Sequence, residues 1–330
     1  MSHEMESMFY YGEVPWHGLG KNVEHVLTAE EAINEAGLNW DVELAQIYTR
    51  FGGKLTQIKE RRAVRRMTDG QVLGVMSPSY APVQNREAFK FFDSVVGTGE
   101  AKYHTAGSLR GGQRIWMLAK VDGKGSMSIK GDAVDKYLLL LNGHDGGLAL
   151  KMFFTPVRVV CMNTLMAAEA GSKRIETFYA KHMGNITTKL DTAREILGMT
   201  MKFFDGFQEK ATKMAMLALP APQFPKMLCA AFGDGRIRPE DVVRIPDFVK
   251  SEKQQEEMEM VQMLFEGSGK GLNEKGIRGT RWAAYNAVVE HVDYEKQFRG
   301  DNAANNRLEN IWFWGGQRIK QRAWDYLNKV

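Results

Sequence analysis

Arg61, Arg62, Arg65 and Arg66, in the segment KERRAVRRM, are the side chains best suited to meet a partner chemically. A guanidinium is always charged, and its planar fork of donors matches a phosphate or a carboxylate. Read as a strand, the segment sends Arg62 and Arg66 to one face with Val64, and Arg61 and Arg65 to the other with Ala63. Along either face the charges recur about every 7 Å, near the spacing of successive phosphates on a nucleic acid. Arg110, Arg114, Lys151 and Arg158 extend this track if their hairpins are neighbours. Tyr10, Tyr11, Trp16 and Tyr80 stand in or beside polar loops, where rings stack on unpaired bases or anchor a loop to the core. The strand itself has two competing readings. One is a solvated edge whose charges discourage pairing between sheets, the other a contact for another protein.

His144 and Asp145 form a second candidate, as an acid–base or metal-ligand pair in the turn NGHDGG. Metal sites need further ligands, and the histidines show no H-x-H or H-x3-H spacing. Asp in a glycine-rich turn also has a purely local explanation, because its carboxylate bonds its own backbone. The stretch Gly267–Gly271 is no phosphate loop, since Leu264 and Gly271 occupy the positions of the motif's first Gly and its Ser/Thr. Cys161 and Cys229 fit reduced core thiols and are too few for a zinc site or a disulfide framework. No metal and no cofactor is expected.

Composition narrows the class. The chain has 330 residues, 44% hydrophobic and 25% charged, which suits ordinary globular domains. No apolar run approaches the length of a membrane span, and the amino terminus lacks the basic-then-apolar pattern of a secretory signal. A cytoplasmic protein is expected. The net charge of +4 is small, but its distribution is uneven. Residues 1–50 and 251–266 are acidic, whereas 51–66 hold six basic side chains and the single acid Glu60. Such blocks suit a solvated surface, a contact between subunits or a groove for a charged ligand.

The elements that must carry these residues read as α+β. Thr28 and Glu31 mark a capping box opening a short helix. Alternation from Trp40, the Gly52–Gly53 turn, the run Leu55–Arg66 and the Thr68–Gly70 turn predict a three-stranded meander. Asn85 is expected to cap a helix whose apolar face is Ala88, Phe89, Phe92 and Val96. Hairpins follow at Tyr103–Val121 and Tyr137–Phe154, then Thr155 and Pro156 are read as the start of a helix. Sequential hairpins argue for an antiparallel domain over 1–170. A helical region at 171–266, a glycine-rich linker at 267–279 and a helical pair at 280–330 complete the division. The pair carries Trp282, Trp312, Trp314 and Trp324, more aromatic surface than two helices bury on themselves. Docking within the chain is favoured, exchange between copies of a homo-oligomer being the alternative.

The segments PWHGLG (15–20), YAPVQN (80–85), FTPVRVVCMNTL (154–165) with the NGHDGG hairpin, and WAAYNAVVEHVD (282–293) resemble the phage/plasmid-like family. That family is a domain of unknown function from phages, plasmids and integrated elements. Met162 departs from the polar residue common at its position. The resemblance implies a mobile-element protein, a setting in which DNA processing, recombination and defence evasion are frequent. Together with the arginine-rich strand it leads to the expectation of a nucleic-acid-binding protein, favouring single-stranded DNA and annealing it without catalysis. The alternatives are a metal-dependent enzyme on nucleic acid or nucleotides at His144–Asp145, and an inhibitor or assembly subunit that binds a host protein.

Overall fold

Local signals decide the first half of the chain. It opens with β1 (Ser7–Tyr11), β2 (Lys21–Val23) and α1 (Ala29–Glu35). The T-x-x-E spacing makes the reciprocal cap it predicts: Thr28 accepts from Glu31 N, and Glu31 accepts from Thr28 N at 2.8 Å. A meander follows, of β3 (Val42–Phe51), β4 (Lys54–Arg66) and β5 (Val72–Met76). Gly52 and Gly53, at φ of 56° and 82°, close β3 onto β4 with a two-residue turn that needs positive φ at both positions. Then come α2 (Asn85–Val96), β6 (Ala101–Leu109), β7 (Arg114–Val121), β8 (Met127–Ile129), β9 (Asp132–Gly143), β10 (Leu150–Arg158), β11 (Asn163–Thr164) and β12 (Thr177–Ala180). The rest is helical: α3 (203–216), α4 (Gln223–Phe232), α5 (Glu252–Met263), α6 (Arg281–Glu290) and α7 (Gly315–Lys329). The fold is therefore α+β, with antiparallel hairpins and a mainly helical carboxy-terminal region. This computed structural model describes residues 7–11, 20–96, 101–121, 125–148, 150–158, 163–164, 177–180, 203–270, 272, 276–298, 310 and 315–330.

The chain divides into two compact units, Met1–Gly123 with Tyr137–Phe154 and Arg174–Met201, and Lys124–Lys136 with Thr155–Lys173 and Lys202–Val330. In the first unit one sheet runs β10-β9-β7-β6-β1-β2, with β12 also paired to β10. Tyr137–Leu141 of β9 is buried throughout, which is why its apolar run does not alternate. α2 lays Phe89 and Phe92 against Tyr103 of β6, at ring separations of 6.0 and 5.7 Å. A second, three-stranded sheet has the order β3-β4-β5.

In the second unit α6 is buried along its whole length from Trp282 to Glu290. Thr280 caps it, its hydroxyl accepting from Ala283 N at 3.2 Å. Phe207 of α3 stacks on Trp324 of α7 at 5.0 Å, and Tyr285 meets Trp324 edge-on at 5.2 Å. Trp282 and Trp324 thus find their packing within this unit, while Trp312 and Trp314 lie outside the described residues. In the stretch 267–279, which composition marks as a linker, Leu272 and Ile277 are buried.

Two local readings are corrected. Asn85 does not cap α2: it is the first helical residue and its side chain turns inward, while Gln84 N takes the Glu87 carboxylate at 3.0 Å. Thr155 and Pro156 do not start a helix but continue β10. β10 pairs with β12 over Leu150–Phe153 and with β11 at Val157 and Arg158, so Pro156 falls between the two ladders, where its missing N–H is tolerated. The expected helical region at 171–266 holds α3, α4 and α5 but also the strand β12, and the expected helical pair is present as α6 and α7. Residues 181–202, 299–309 and 311–314 of these regions lie outside the described residues, as do Trp16 and Cys161.

Candidate nucleic-acid interface

β4 is paired on both sides only near its end, where Arg62–Arg65 meet β5. Among the described residues it pairs with β3 alone from Lys54 to Ile58. The outer half of the β3–β4 hairpin is therefore a two-stranded arm. Its side chains at Tyr48–Thr56 are all exposed, so it buries little on itself. The register steps from Gln46↔Arg62 to Ile47↔Ile58, which leaves Lys59, Glu60 and Arg61 as a bulge on β4. Arg62 closes that bulge by donating Nη1 to Lys59 O at 3.1 Å and to Arg61 O at 2.9 Å. Among the described residues the side chains of Arg50, Lys54, Lys59 and Arg61 make no ion pair or hydrogen bond.

Of these four only Arg61 is expected at the site from the sequence, and the other cations expected there are engaged. Arg65 donates Nε to Glu43 at 2.9 Å while staying exposed. Arg66 is buried, donating Nε to Asp69 Oδ1 at 3.0 Å and Nη2 to Gln71 at 2.7 Å, with its guanidinium 5.2 Å from the Trp40 ring. The Arg66 bond holds the Asp69 carboxyl down at about 2. Arg114 and Arg158 are buried against carboxylates, so with Arg66 they do not offer a surface track. Arg110 is exposed in the β6–β7 turn at φ 55°, and Lys151 is half-buried on β10.

The His144–Asp145 turn is built by packing. His144 is fully buried, with its imidazole 5.4 Å from the Trp40 ring and Nε2 3.0 Å from Asn85 Oδ1. Asp145 Oδ2 accepts from Arg114 Nε at 3.1 Å and Nη2 at 2.9 Å, and Oδ1 accepts from Gly147 N at 2.8 Å. Tyr80 donates to Gly143 O at 3.3 Å, and burial, then the Asp145 charge, pushes its phenol pKa up. Tyr80 thus fastens the Pro78–Pro82 loop to the turn. Tyr10 and Tyr11 are half-buried on β1.

The second unit holds a buried polar network. Asp132 accepts from Arg158 Nε at 2.5 Å and from Trp282 Nε1 at 2.8 Å. Arg158 Nη1 reaches Lys270 O at 2.7 Å, and Lys270 N donates to Glu290 at 3.0 Å. Burial raises the Glu290 carboxyl. One step on, Asp293 pairs with Lys320 at 2.5 Å, both inside the core. Among the described residues no three His, Cys, Asp or Glu side chains converge as a metal site. No helix among them is long and apolar enough to cross a membrane.

Over residues 72–312 the chain matches the family model described as a domain of unknown function, DUF932. The chain is similar to the UPF0380 protein YafZ of Escherichia coli (strain K12), with 34% identity over 87 residues, 26% of this chain and 29% of that protein. It therefore spans less than a third of that relative's length in the match. No solved structure matches. The β3–β4 arm precedes the matched residues, whereas the His144 turn, the Asp132–Arg158 pair and α6 lie within them. With nearly three quarters of its length matched, the chain belongs to the DUF932 family.

Proposed function

We propose that this chain binds nucleic acid along the β3–β4 arm, favours single strands, and acts by binding and annealing without catalysis. The observation that carries the reading is the arm itself, two strands with Arg50, Lys54, Lys59 and Arg61 unengaged among the described residues. Arg62 and Arg65 sit at its base, where their engagements are with backbone carbonyls and with an exposed Glu43. Phosphates displace such weak exposed partners readily. The resemblance of the PWHGLG and NGHDGG segments to proteins of phages and plasmids supports a place in a mobile element.

His144 supports a positioning role, because an acid–base group must reach the proton it moves and this imidazole is fully buried. Anisotropy titrations of single- and double-stranded oligonucleotides at two salt concentrations test the proposal. Tighter binding of single strands, weakening steeply with salt, is expected. Absence of binding to either at low salt would end it.

A further inference from the structure

Phe51 ends β3 with 89% of its surface exposed, and Leu55 and Tyr48 follow at 64% and 52%. The register pairs Tyr48 with Gln57, Arg50 with Leu55 and Phe51 with Lys54. Alternation therefore puts Tyr48, Arg50 and Leu55 on one face of the arm and Phe51 with Lys54 on the other. Each face carries one ring and one cation. From Gln46 to Lys59 there is no acidic side chain. Among the described residues a Cβ at Gly52 or Gly53 would meet nothing within 4 Å, so the turn beyond Phe51 is slim and projects from the hairpin. An apolar surface whose charged neighbours on the arm are all cations suits a partner that alternates π faces with negative charge, and nucleic acid is such a partner.

We infer that the tip of the arm is a base-stacking wedge: Phe51 stacks against an unpaired base while Arg50 and Lys54 hold the flanking phosphates. The inference rests on the nucleic-acid reading above and adds the ligand's class. The preferred ligands are strands that already expose a base, namely single strands, gaps and mismatched steps, ahead of perfect duplex. Apolar wedges do enter duplex steps, but unstacking them costs free energy that an open base spares.

The full chain is titrated with a single-stranded oligonucleotide carrying 2-aminopurine, whose emission reports stacking. The unaltered chain changes that emission. Phe51→Ala loses the change and binds about tenfold more weakly, while Phe51→Trp keeps both. The salt slope of Phe51→Ala stays that of the unaltered chain, because no cation is removed, and its melting temperature stays because the ring buries so little. If Phe51→Ala binds as tightly and gives the same emission change, the wedge is wrong and the nucleic-acid reading stands. If the unaltered chain binds no oligonucleotide at low salt, both fail. If Phe51→Ala instead splits an oligomer in light scattering with affinity for the oligonucleotide intact, the tip is a contact between copies and the inference is overturned.

Discussion

Asn85 and His144 are joined in the core of the first unit, Oδ1 of the amide lying 3.0 Å from Nε2 of the imidazole. The same amide donates Nδ2 to Leu38 O at 3.0 Å. One buried side chain thus ties the start of α2, the segment after α1 and the β9–β10 turn. Replacing it leaves two buried polar groups without that partner. Asn85→Ala is expected to lower stability by about 2–3 kcal/mol in urea denaturation. A change within error of zero would mean that the amide is dispensable.

Gly74 tests the packing of β5 on that turn. A Cβ there would come within 2.7 Å of His144 O and 2.9 Å of Asp145 Cα, both backbone atoms that yield little. Gly74→Ala should therefore destabilise the chain by about 1–3 kcal/mol, read as a lower thermal midpoint. An unchanged midpoint would show that the turn moves freely away from β5.

Lys320 and Asp293 make an ion pair whose side chains are 0% and 1% exposed. Removing one partner strands a buried charge. Lys320→Met should cost about 3–5 kcal/mol, and adding Asp293→Leu should recover most of that loss. Equal instability of the single and double variants would deny the pairing its role.

His291 gives the second unit a pH dependence of definite sign. Burial, then the Lys296 charge, pushes its pKa down from 6.5 to about 4. Between those values the unfolded chain holds the extra proton, so this contribution is complete above pH 6.5 and falls as pH drops toward 4, by up to about 3 kcal/mol. Glu290 acts in the opposite sense, because burial raises its pKa above 4.5. Its contribution is complete below pH 4.5 and fades as pH rises through the folded value. Urea midpoints from pH 4 to 7 should lose much of their slope in His291→Leu, and a slope identical to the unaltered chain would contradict this.

Elements with their own punctuation were legible in the sequence. Thr28 with Glu31, the paired glycines at 52–53 and the alternation of Trp40, Val42 and Leu44 act over a few residues, and they placed α1 and the β3–β4–β5 meander well. β1 and β2 escaped because β1 is held by β6, about a hundred residues away. β8 is three residues long, and its Lys130–Gly131 turn, at φ 53° and 94°, places lysine at the first position, where Asn, Asp or Gly is the usual signal. Pro156 misled because its local preference for a helix start yields to pairing on both sides of it. At the site, the arginine run is plain in the sequence, but which of its members stay accessible depends on distant partners. Glu43 and Trp40 belong to other segments, and the bulge at 59–61 follows from register. The sequence signal at Phe51 is an aromatic residue directly before a glycine–glycine turn, with no acid from Gln46 to Lys59.

The salt dependence of single-strand binding by the arm is the most direct measurement of the central claim. The chain and a variant with Lys54→Gln, Lys59→Gln and Arg61→Gln are titrated with a fluorescent single strand from 50 to 300 mM salt. Each lost phosphate contact removes about 0.7 from the slope of log affinity against log salt, so the variant's slope should be shallower by about 2, with weaker binding at low salt. The melting temperature should stay put, because all three side chains are exposed and unengaged among the described residues. Equal slopes and affinities for the two proteins would contradict the account, since the nucleic acid would then lie elsewhere on the chain.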